Sequence, residues 1–415
     1  MSPESSAHVD ISAASNIAAQ LSSKTLSDGS RLLLLNLDVF SVLLALLDPL
    51  DALRMAMTCH RAYSLAISRF HSEVRIGYDE NSNRSGPEQI IQFCNYMLAE
   101  PARAAQLKSL SIGPGGFIRL VQERQRDTWQ FDPSCAVELA QLLHCTRSLK
   151  HLLIDDYESV VKLHPTLGET IEELPNLVDL AFKHVGHASL KTVSCLTGKL
   201  RRLEFGLWKG GPLTSTDAEP FVNLKDTLET VTLSSCACLV ENVGQDYVWP
   251  RVHTLFLGGR VPRLSTLVHA FPDARSIEFL EGCSVARDEA PTNYWDTLDY
   301  VETSLPLPFL ACPVRRVKLS YFLGDGNMRT SQEIFEKTVT FLGRANPVVF
   351  SCELSHEMEI TKMQSLISTM RRVAFVELTL HQKEFSLDKE ALGFQEWLVS
   401  HSHPWLPARL TILSI

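Results

Sequence analysis

The sequence lacks the short motifs that usually mark a catalytic or cofactor-binding centre. Its 415 residues contain no GxSxG nucleophile elbow, no GxxxxGK[ST] phosphate loop and no GxGxxG dinucleotide turn. The nearest glycine cluster, residues 113–116, has a proline where a phosphate loop needs an amide donor, and it predicts a turn. His356-Glu357 begins an HExxH motif, but Ile360 replaces the second histidine. We therefore predict that the chain is not an enzyme and holds no cofactor or metal.

Paired metal ligands are equally scarce. The ten cysteines include no CxxC pair, and neither Cys236-Ala237-Cys238 nor His184-Val185-Gly186-His187 has a second pair at a standard spacing. The neighbouring acids Asp155 and Asp156 are expected to point apart, because adjacent residues of a strand or turn face opposite ways. Scattered cysteines are typical of buried thiols in a reducing compartment, so we expect the cytoplasm or nucleus.

Basic charge and long apolar runs are also in short supply. Lys and Arg number 39 against 48 Asp and Glu, a net charge of −9 that repels polyphosphate, so nucleic acid is not an expected partner. The most apolar segment, Leu32 to Leu47, falls short of the ~20 residues that span a bilayer, and it contains Asn36 and Asp38. Residues 1–30 are rich in Ser and Ala and lack the features of a secretory or mitochondrial leader, so a disordered tail and no membrane partner are expected.

Residues 31–75 have the pattern of three short helices. Asn36 is a candidate N-cap for a helix from Leu37 to Leu47, and Asp48-Pro49 ends that helix and starts the next. A third helix is predicted from about Arg61 to Phe70. Three short helices bury too little apolar surface to be stable alone. They therefore need a larger body or a partner.

The same residues resemble the F-box. The resemblance is carried by Leu35-Asn36-Leu37-Asp38-Val39, by Leu43, by Leu47-Asp48-Pro49-Leu50-Asp51-Ala52-Leu53 and by Cys59-His60-Arg61. Two positions depart from the family pattern: Asn36 stands where the family has a proline, and Ala62 stands where it has an aromatic residue, with Tyr63 beside it. An ordinary helical cap on the domain behind it is the alternative interpretation.

The resemblance implies docking on the Skp-type adaptor of an SCF (Skp, cullin, F-box) cullin-RING ubiquitin ligase. The proline position is expected to contact the adaptor, so Asn36 bears directly on this partner. The implied adaptor-binding residues are Leu35, Asn36, Asp38, Val39, Leu43, Leu47, Pro49, Leu50 and Leu53.

Behind a helical connector at residues 76–100, residues 101–415 repeat the pattern apolar-x-x-apolar-x-apolar. The last two apolar positions lie on one face of a short strand, and the first points inward from the preceding turn. Successive copies start 22 to 42 residues apart. The copies are Leu107-Leu110-Ile112, Leu149-Leu152-Ile154, Leu177-Leu180-Phe182, Leu200-Leu203-Phe205, Leu228-Val231-Leu233, Val252-Leu255-Leu257, Ala274-Ile277-Phe279, Val314-Val317-Leu319, Val349-Cys352-Leu354, Val373-Val376-Leu378 and Leu410-Leu413-Ile415.

This part resembles an irregular leucine-rich-repeat solenoid, in which stacked parallel strands alternate with crossover helices. Helical periodicity between copies supports the crossovers, for example over Leu264 to Ala270 and Ala391 to Leu398. The family's Asn or Cys after the strand is met only by Cys236. The predicted fold class is therefore α/β, an F-box followed by irregular repeats; unrelated α/β strands that share the spacing are the alternative.

Taken together, the resemblances imply a substrate-recognition adaptor whose box holds the ligase and whose repeats hold an unknown protein target. Outward strand positions are the expected target surface: Asp179, Lys183, Arg202, Glu204, Phe256, Glu278, Arg316, Lys318, Phe375 and Glu377. The aromatics Tyr157, Trp208, Trp249 and Trp295 lie near strand ends, where each is expected either to anchor a partner or to cover the core edge. A binding scaffold without a ligase link is the second functional hypothesis, and an α/β enzyme is the third.

Overall fold

The structure is a computed structural model, and the chain divides into two compact units, residues 1–211 and 212–415. The residues it describes are 37–77, 84–123, 126–196, 198–207, 222–235, 239, 247–285, 295–323, 328–354, 360–380 and 411–414. Both units are α/β, and the main strands of each run parallel. Within the described residues, no helix combines the length and apolar character needed to span a bilayer.

The described part of the first unit opens with three helices: α1 Leu37–Leu46, α2 Pro49–Ala56 and α3 His60–Ser72. These bounds agree closely with those predicted from the sequence. Asp48 caps α2, because its Oδ1 accepts a hydrogen bond from the Leu50 amide at 2.8 Å and Pro49 fills the first helical position. Asn36 and Leu35 lie outside the described residues.

A small core holds the three helices together. Phe40 and Leu44 on α1 pack with Ala56 on α2 and Ala66 on α3, and Leu47 borders this cluster. The α2 and α3 helices also meet where Leu53 packs against Phe70. Each helix therefore contributes one apolar face to a shared interior.

The other described residues of the first unit include five parallel strands that lie side by side in chain order. They are β1 Glu73–Ile76, β2 Ser109–Ile112, β5 His151–Ile154, β6 Asp179–Val185 and β7 Arg202–Leu207. The helices are α4 Gly86–Leu98, α5 Pro101–Ala104, α6 Ala136–Cys145, α7 Tyr157–Leu163, α8 Pro165–Glu172 and α9 His187–Cys195. Separately, β3 Ile118–Glu123 forms an antiparallel hairpin with β4 Arg126–Phe131.

The first strand of this sheet differs from the sequence expectation. The strand β1 directly follows α3 and pairs with β2, so that Val74 lies opposite Leu110. The sheet therefore begins at Glu73, within the segment assigned to the box, and not after residue 100. The helix α4 is the crossover that returns the chain from β1 towards β2.

The repeating apolar pattern builds the core of the first unit. The register places Leu110, Leu152, Leu180 and Leu203 in one row across the sheet, and Ile112, Ile154, Phe182 and Phe205 in the next. All eight side chains are buried. Equivalent positions of neighbouring copies thus stack directly on one another, as expected for a repeat array.

The described residues of the second unit form eight parallel strands, again in chain order. They are β8 Thr230–Ser234, β9 Thr254–Gly258, β11 Ser276–Phe279, β13 Leu298–Thr303, β14 Val314–Leu323, β15 Val349–Leu354, β16 Phe375–Leu380 and β17 Thr411–Ser414. The described helices are α10 Leu264–Ala270, α11 Met328–Ala345 and α12 Ile360–Thr369, and β10 Arg260–Val261 pairs with β12 Ser284–Val285. The predicted helix Ala391 to Leu398 lies outside the described residues.

Nine of the predicted copies of the pattern have all three apolar positions buried. Two are placed differently. In β15, Phe350 and not Cys352 lies opposite Val376, a shift of two residues from the predicted copy. In β17, Ile412 lies opposite Leu378, where the pattern places Ile415. Pairing with the neighbouring strand sets the register, and several apolar residues in a row fit the pattern in more than one frame.

Besides β1, the strand β13 was also missed, because a threonine occupies an apolar position. The strand β13 pairs with β11 and β14, and it carries Leu298, Val301 and Thr303 at the three pattern positions. Thr303 is buried and its hydroxyl donates a hydrogen bond to the carbonyl of Leu305, which satisfies the polar group in the core.

The buried His71, at the end of α3, makes stability depend on pH. Its Nδ1 lies 3.1 Å from Gln106 Oε1 and its Nε2 lies 2.9 Å from the Tyr96 hydroxyl. Burial lowers the pKa of His71 below its usual 6.5, and the hydrogen bond to Gln106 offsets this only in part. At a pH below 6.5, this histidine is protonated in the unfolded chain but not in the folded chain. The free energy of unfolding therefore falls as the pH falls.

We therefore expect the free energy of unfolding to drop between pH 7.5 and 5.5 through this histidine. Urea denaturation at the two pH values measures the drop. The variant His71→Gln should reduce it, whereas His60→Gln, at an exposed position, should not. An equal drop in the native chain and in His71→Gln would refute the assignment.

Candidate functional site

The α1 helix is apolar on two sides, and among the described residues only one of these sides is packed against other helices. Phe40 and Leu44 face the interior of the three helices. On another side, four aliphatic residues spaced as one face of a helix are open to solvent. This α1 apolar stripe consists of Val39, Val42, Leu43 and Leu46, which are 49%, 62%, 40% and 78% exposed.

Polar or small residues occupy the third side of α1. Asp38, Ser41 and Ala45 are all exposed, and their helical spacing sets them apart from the α1 apolar stripe. Met57, just after α2, is a further exposed apolar side chain, at 42%. A contiguous row of large exposed aliphatic residues is unusual on a folded protein and marks a contact surface.

The residues implied to bind the adaptor fall into distinct groups. Val39 and Leu43 belong to the α1 apolar stripe, Asp38 is exposed, and Leu47, Pro49 and Leu50 are half-buried. Leu53 requires a correction, because it is only 9% exposed and packs against Phe70 inside the module. Sequence reasoning did not single out Val42 and Leu46, although their spacing from Val39 carries the signal.

The outer face of the second unit's sheet collects most of the predicted target-binding residues. One row across the strands consists of Phe256, Glu278, Glu302, Lys318, Ser351 and Glu377, and the row beside it of Thr254, Ser276, Tyr300, Arg316, Val349 and Phe375. We call these two rows the outer-face rows. They alternate along each strand with the buried positions of the core.

Two ion pairs cross the outer-face rows. Lys318 Nζ lies 2.8 Å from Glu302 Oε1, which also accepts a hydrogen bond from the Ser320 hydroxyl at 2.6 Å. Arg316 Nη2 lies 3.3 Å from Glu377 Oε2, to which the Ser351 hydroxyl donates at 2.8 Å. The cations of this face are therefore engaged with carboxylates of the same face.

The pKa values of the neighbouring carboxyl groups of Glu278 and Glu302 shift in opposite directions. For Glu302, burial raises the pKa, but hydrogen bonds from Lys318, Ser320 and Tyr300 outweigh it and hold the pKa below its usual range. For Glu278, burial raises the pKa, the charge of Glu302 raises it further, and Lys318 opposes both. The negative charge of Glu278 is thus less balanced by hydrogen-bond donors and cations than the charge of Glu302.

The predicted positions in the first unit form a smaller polar group. Asp179 Oδ2 lies 2.7 Å from His151 Nδ1 and 3.9 Å from Arg202 Nη1, on the strands to either side. Glu204 and Lys183 are half-buried on the same face of their strands. Exposed pairs of this kind contribute little to stability, at most about 1 kcal/mol.

Three of the aromatics near strand ends belong to the core. Tyr157 is buried and its hydroxyl donates to Thr192 Oγ1 at 3.0 Å. Trp295 is buried and its Nε1 donates to the carbonyl of Phe271 at 2.8 Å, and Trp249 is buried beside the same Phe271. Trp208 lies outside the described residues. Of the two roles predicted for these residues, Tyr157, Trp249 and Trp295 take the structural one.

A cluster of metal-type ligands lies where sequence reasoning expected none. Asp155 and Asp156 follow β5, His184 lies at the end of β6, and the imidazole Nδ1 is 2.8 Å from one oxygen of each carboxylate. The prediction that the two acids point apart was wrong: Asp156 and His184 adopt left-handed backbone conformations that turn the side chains together. Burial raises the pKa of Asp156, and His184 opposes this. When it is protonated, the imidazole is within ion-pair distance of both acids.

The chain matches no protein-family model, and the search of curated proteins found no match. The resemblance to the F-box and to leucine-rich repeats therefore rests on the residues quoted above.

Proposed function

We propose that the chain is a substrate-recognition adaptor. In this proposal, the three helices dock on a Skp-type adaptor through the α1 apolar stripe, and the parallel sheets present a protein target to an SCF cullin-RING ubiquitin ligase. The ubiquitin-transfer chemistry belongs to other subunits, and this chain contributes by holding the target near them.

The observation that carries the proposal is the α1 apolar stripe. It lies in the segment that resembles the F-box, and four aliphatic side chains remain open after the three helices have packed on one another. Covering them with an apolar surface of another protein contributes on the order of several kcal/mol. If the three helices only capped the sheet, none of their contacts would require this second apolar side.

The finer description of the sheets as leucine-rich repeats is part of the proposal. It is supported by the parallel pairing, by the apolar rows in register and by the helices between strands. It is also supported by the polar outer-face rows, since mixed charges suit a protein epitope better than a polyanion.

Co-expression of the full chain with the Skp-type adaptor tests the proposal. A stable one-to-one complex is expected by size-exclusion chromatography with light scattering. If the chain elutes as a monomer while the adaptor is in excess, the proposal is wrong.

A binding scaffold with no ligase link is the second candidate. It is favoured by Asn36, which replaces the proline expected to contact the adaptor. A scaffold would bind its target through the sheets, and ubiquitination of that target would be unchanged by charged residues in the α1 apolar stripe. Loss of ubiquitination with target binding retained would exclude this candidate.

A further inference from the structure

We infer that the outer-face rows bind an extended protein segment through a lysine or arginine seated at Glu278, with the stem of that side chain on Phe256. The inference rests on the proposed function and adds the chemical class of the target segment.

The charges of the outer-face rows point to a cation. The two rows contain three carboxylates, at Glu278, Glu302 and Glu377, and two cations, at Lys318 and Arg316. Lys318 pairs with Glu302 and Arg316 pairs with Glu377. Among the described residues, none forms a hydrogen bond or ion pair with Glu278. A ligand cation therefore completes the pairing of this face.

The surroundings of Glu278 fit a long basic side chain. Phe256 lies opposite Glu278 on the neighbouring strand, a spacing of about 4.8 Å between strands. Glu302 lies opposite it on the other side. The aliphatic stem of a lysine or arginine packs on an aromatic ring while its charged end reaches a carboxylate. Partial burial strengthens such a pair relative to one in open water.

The same charges disfavour a phosphorylated segment or a metal ion as the ligand of the outer-face rows. A phosphorylated segment brings negative charge next to Glu278, and the pKa of this carboxyl is already raised by burial and by Glu302. Free metal ions prefer several oxygen ligands, whereas Glu302 is held by Lys318, Ser320 and Tyr300. A basic protein segment adds the missing charge without displacing these contacts.

An exposed aromatic at the other end of the rows sets the length of the segment. Phe375 is 47% exposed and lies four strands away from Glu278 across the sheet. Four strand spacings are about 19 Å, which an extended chain covers in about six residues. We therefore expect the bound segment to carry an apolar residue five to seven positions from its basic residue.

Selection of peptides on the purified full chain tests the inference. A displayed library of random twelve-residue peptides should yield binders enriched in Lys or Arg, with an apolar residue five to seven positions away. Synthetic versions of these binders should lose at least about tenfold in affinity for Glu278→Gln by fluorescence anisotropy. Glu281→Gln removes the same charge from an exposed position three residues away and should leave the affinity nearly unchanged.

Binders without a basic residue, or equal affinity for the native chain and Glu278→Gln, would overturn the inference. Binders that gain affinity on serine phosphorylation would overturn it too. Because these measurements contain no Skp-type adaptor, they are independent of the docking experiment. If the native chain binds these peptides but does not bind the adaptor, the ligase role is wrong and the basic-segment site stands.

Discussion

Leu46→Asp is expected to abolish binding of the Skp-type adaptor while the chain stays folded. Leu46 is the most exposed member of the α1 apolar stripe, at 78%, so its replacement removes no contact of the interior. In a docked complex the change removes about 2 kcal/mol of apolar burial and places a carboxylate against an apolar surface. Together these costs correspond to a loss of affinity of about 100-fold or more. Titration calorimetry with the purified adaptor measures it.

Ser41→Asp is the matched control for this variant. Ser41 is exposed on the same helix but outside the α1 apolar stripe, so it adds the same charge without entering the proposed contact. It should bind the adaptor as the native chain does. Leu47→Asp is less informative, because Leu47 borders the core of the three helices and the variant also destabilises the module. Equal binding by Leu46→Asp and Ser41→Asp would show that the stripe is not the docking surface.

The sequence predicts local structure best where one residue type has a single physical role. Asp48-Pro49 fixes the junction of two helices, because the proline cannot continue the first and suits the start of the second. Most strands were found because apolar residues two positions apart must share a face. The strand at 298–303 was missed because Thr303 satisfies its hydroxyl with a local carbonyl and so replaces an apolar residue in the core.

Features that depend on distant residues were not accessible from the sequence. In the strand at 349–354, pairing with the neighbouring strands decides the register. The pattern fits Phe350 and Cys352 as well as it fits the predicted positions, Cys352 and Leu354, so the sequence alone does not distinguish the two. The meeting of Asp155 and Asp156 with His184 requires adjacent strands and two left-handed residues. The α1 apolar stripe lies between these cases: its spacing is visible in the sequence, but which apolar side of the helix is covered is known only from the packing.

Phe182→Ala is expected to cost about 3–5 kcal/mol of unfolding free energy, the largest stability effect we predict. Phe182 is fully buried, its ring stacks on Tyr157 at 3.8 Å between centroids, and the Phe205 ring of the next strand lies at 6.4 Å. Truncation leaves a cavity that two rigid rings on different elements cannot fill.

The loss should spread through the first unit, because each strand of a parallel array is stabilised mainly by its neighbours. Urea denaturation followed by circular dichroism measures the free energy, and hydrogen exchange should show faster opening of the strands at 151–154 and 202–207. Lys183→Ala changes the next residue, a half-buried lysine, and should cost less than about 1 kcal/mol. If both variants cost the same, the stacked apolar rows are not what holds this unit together.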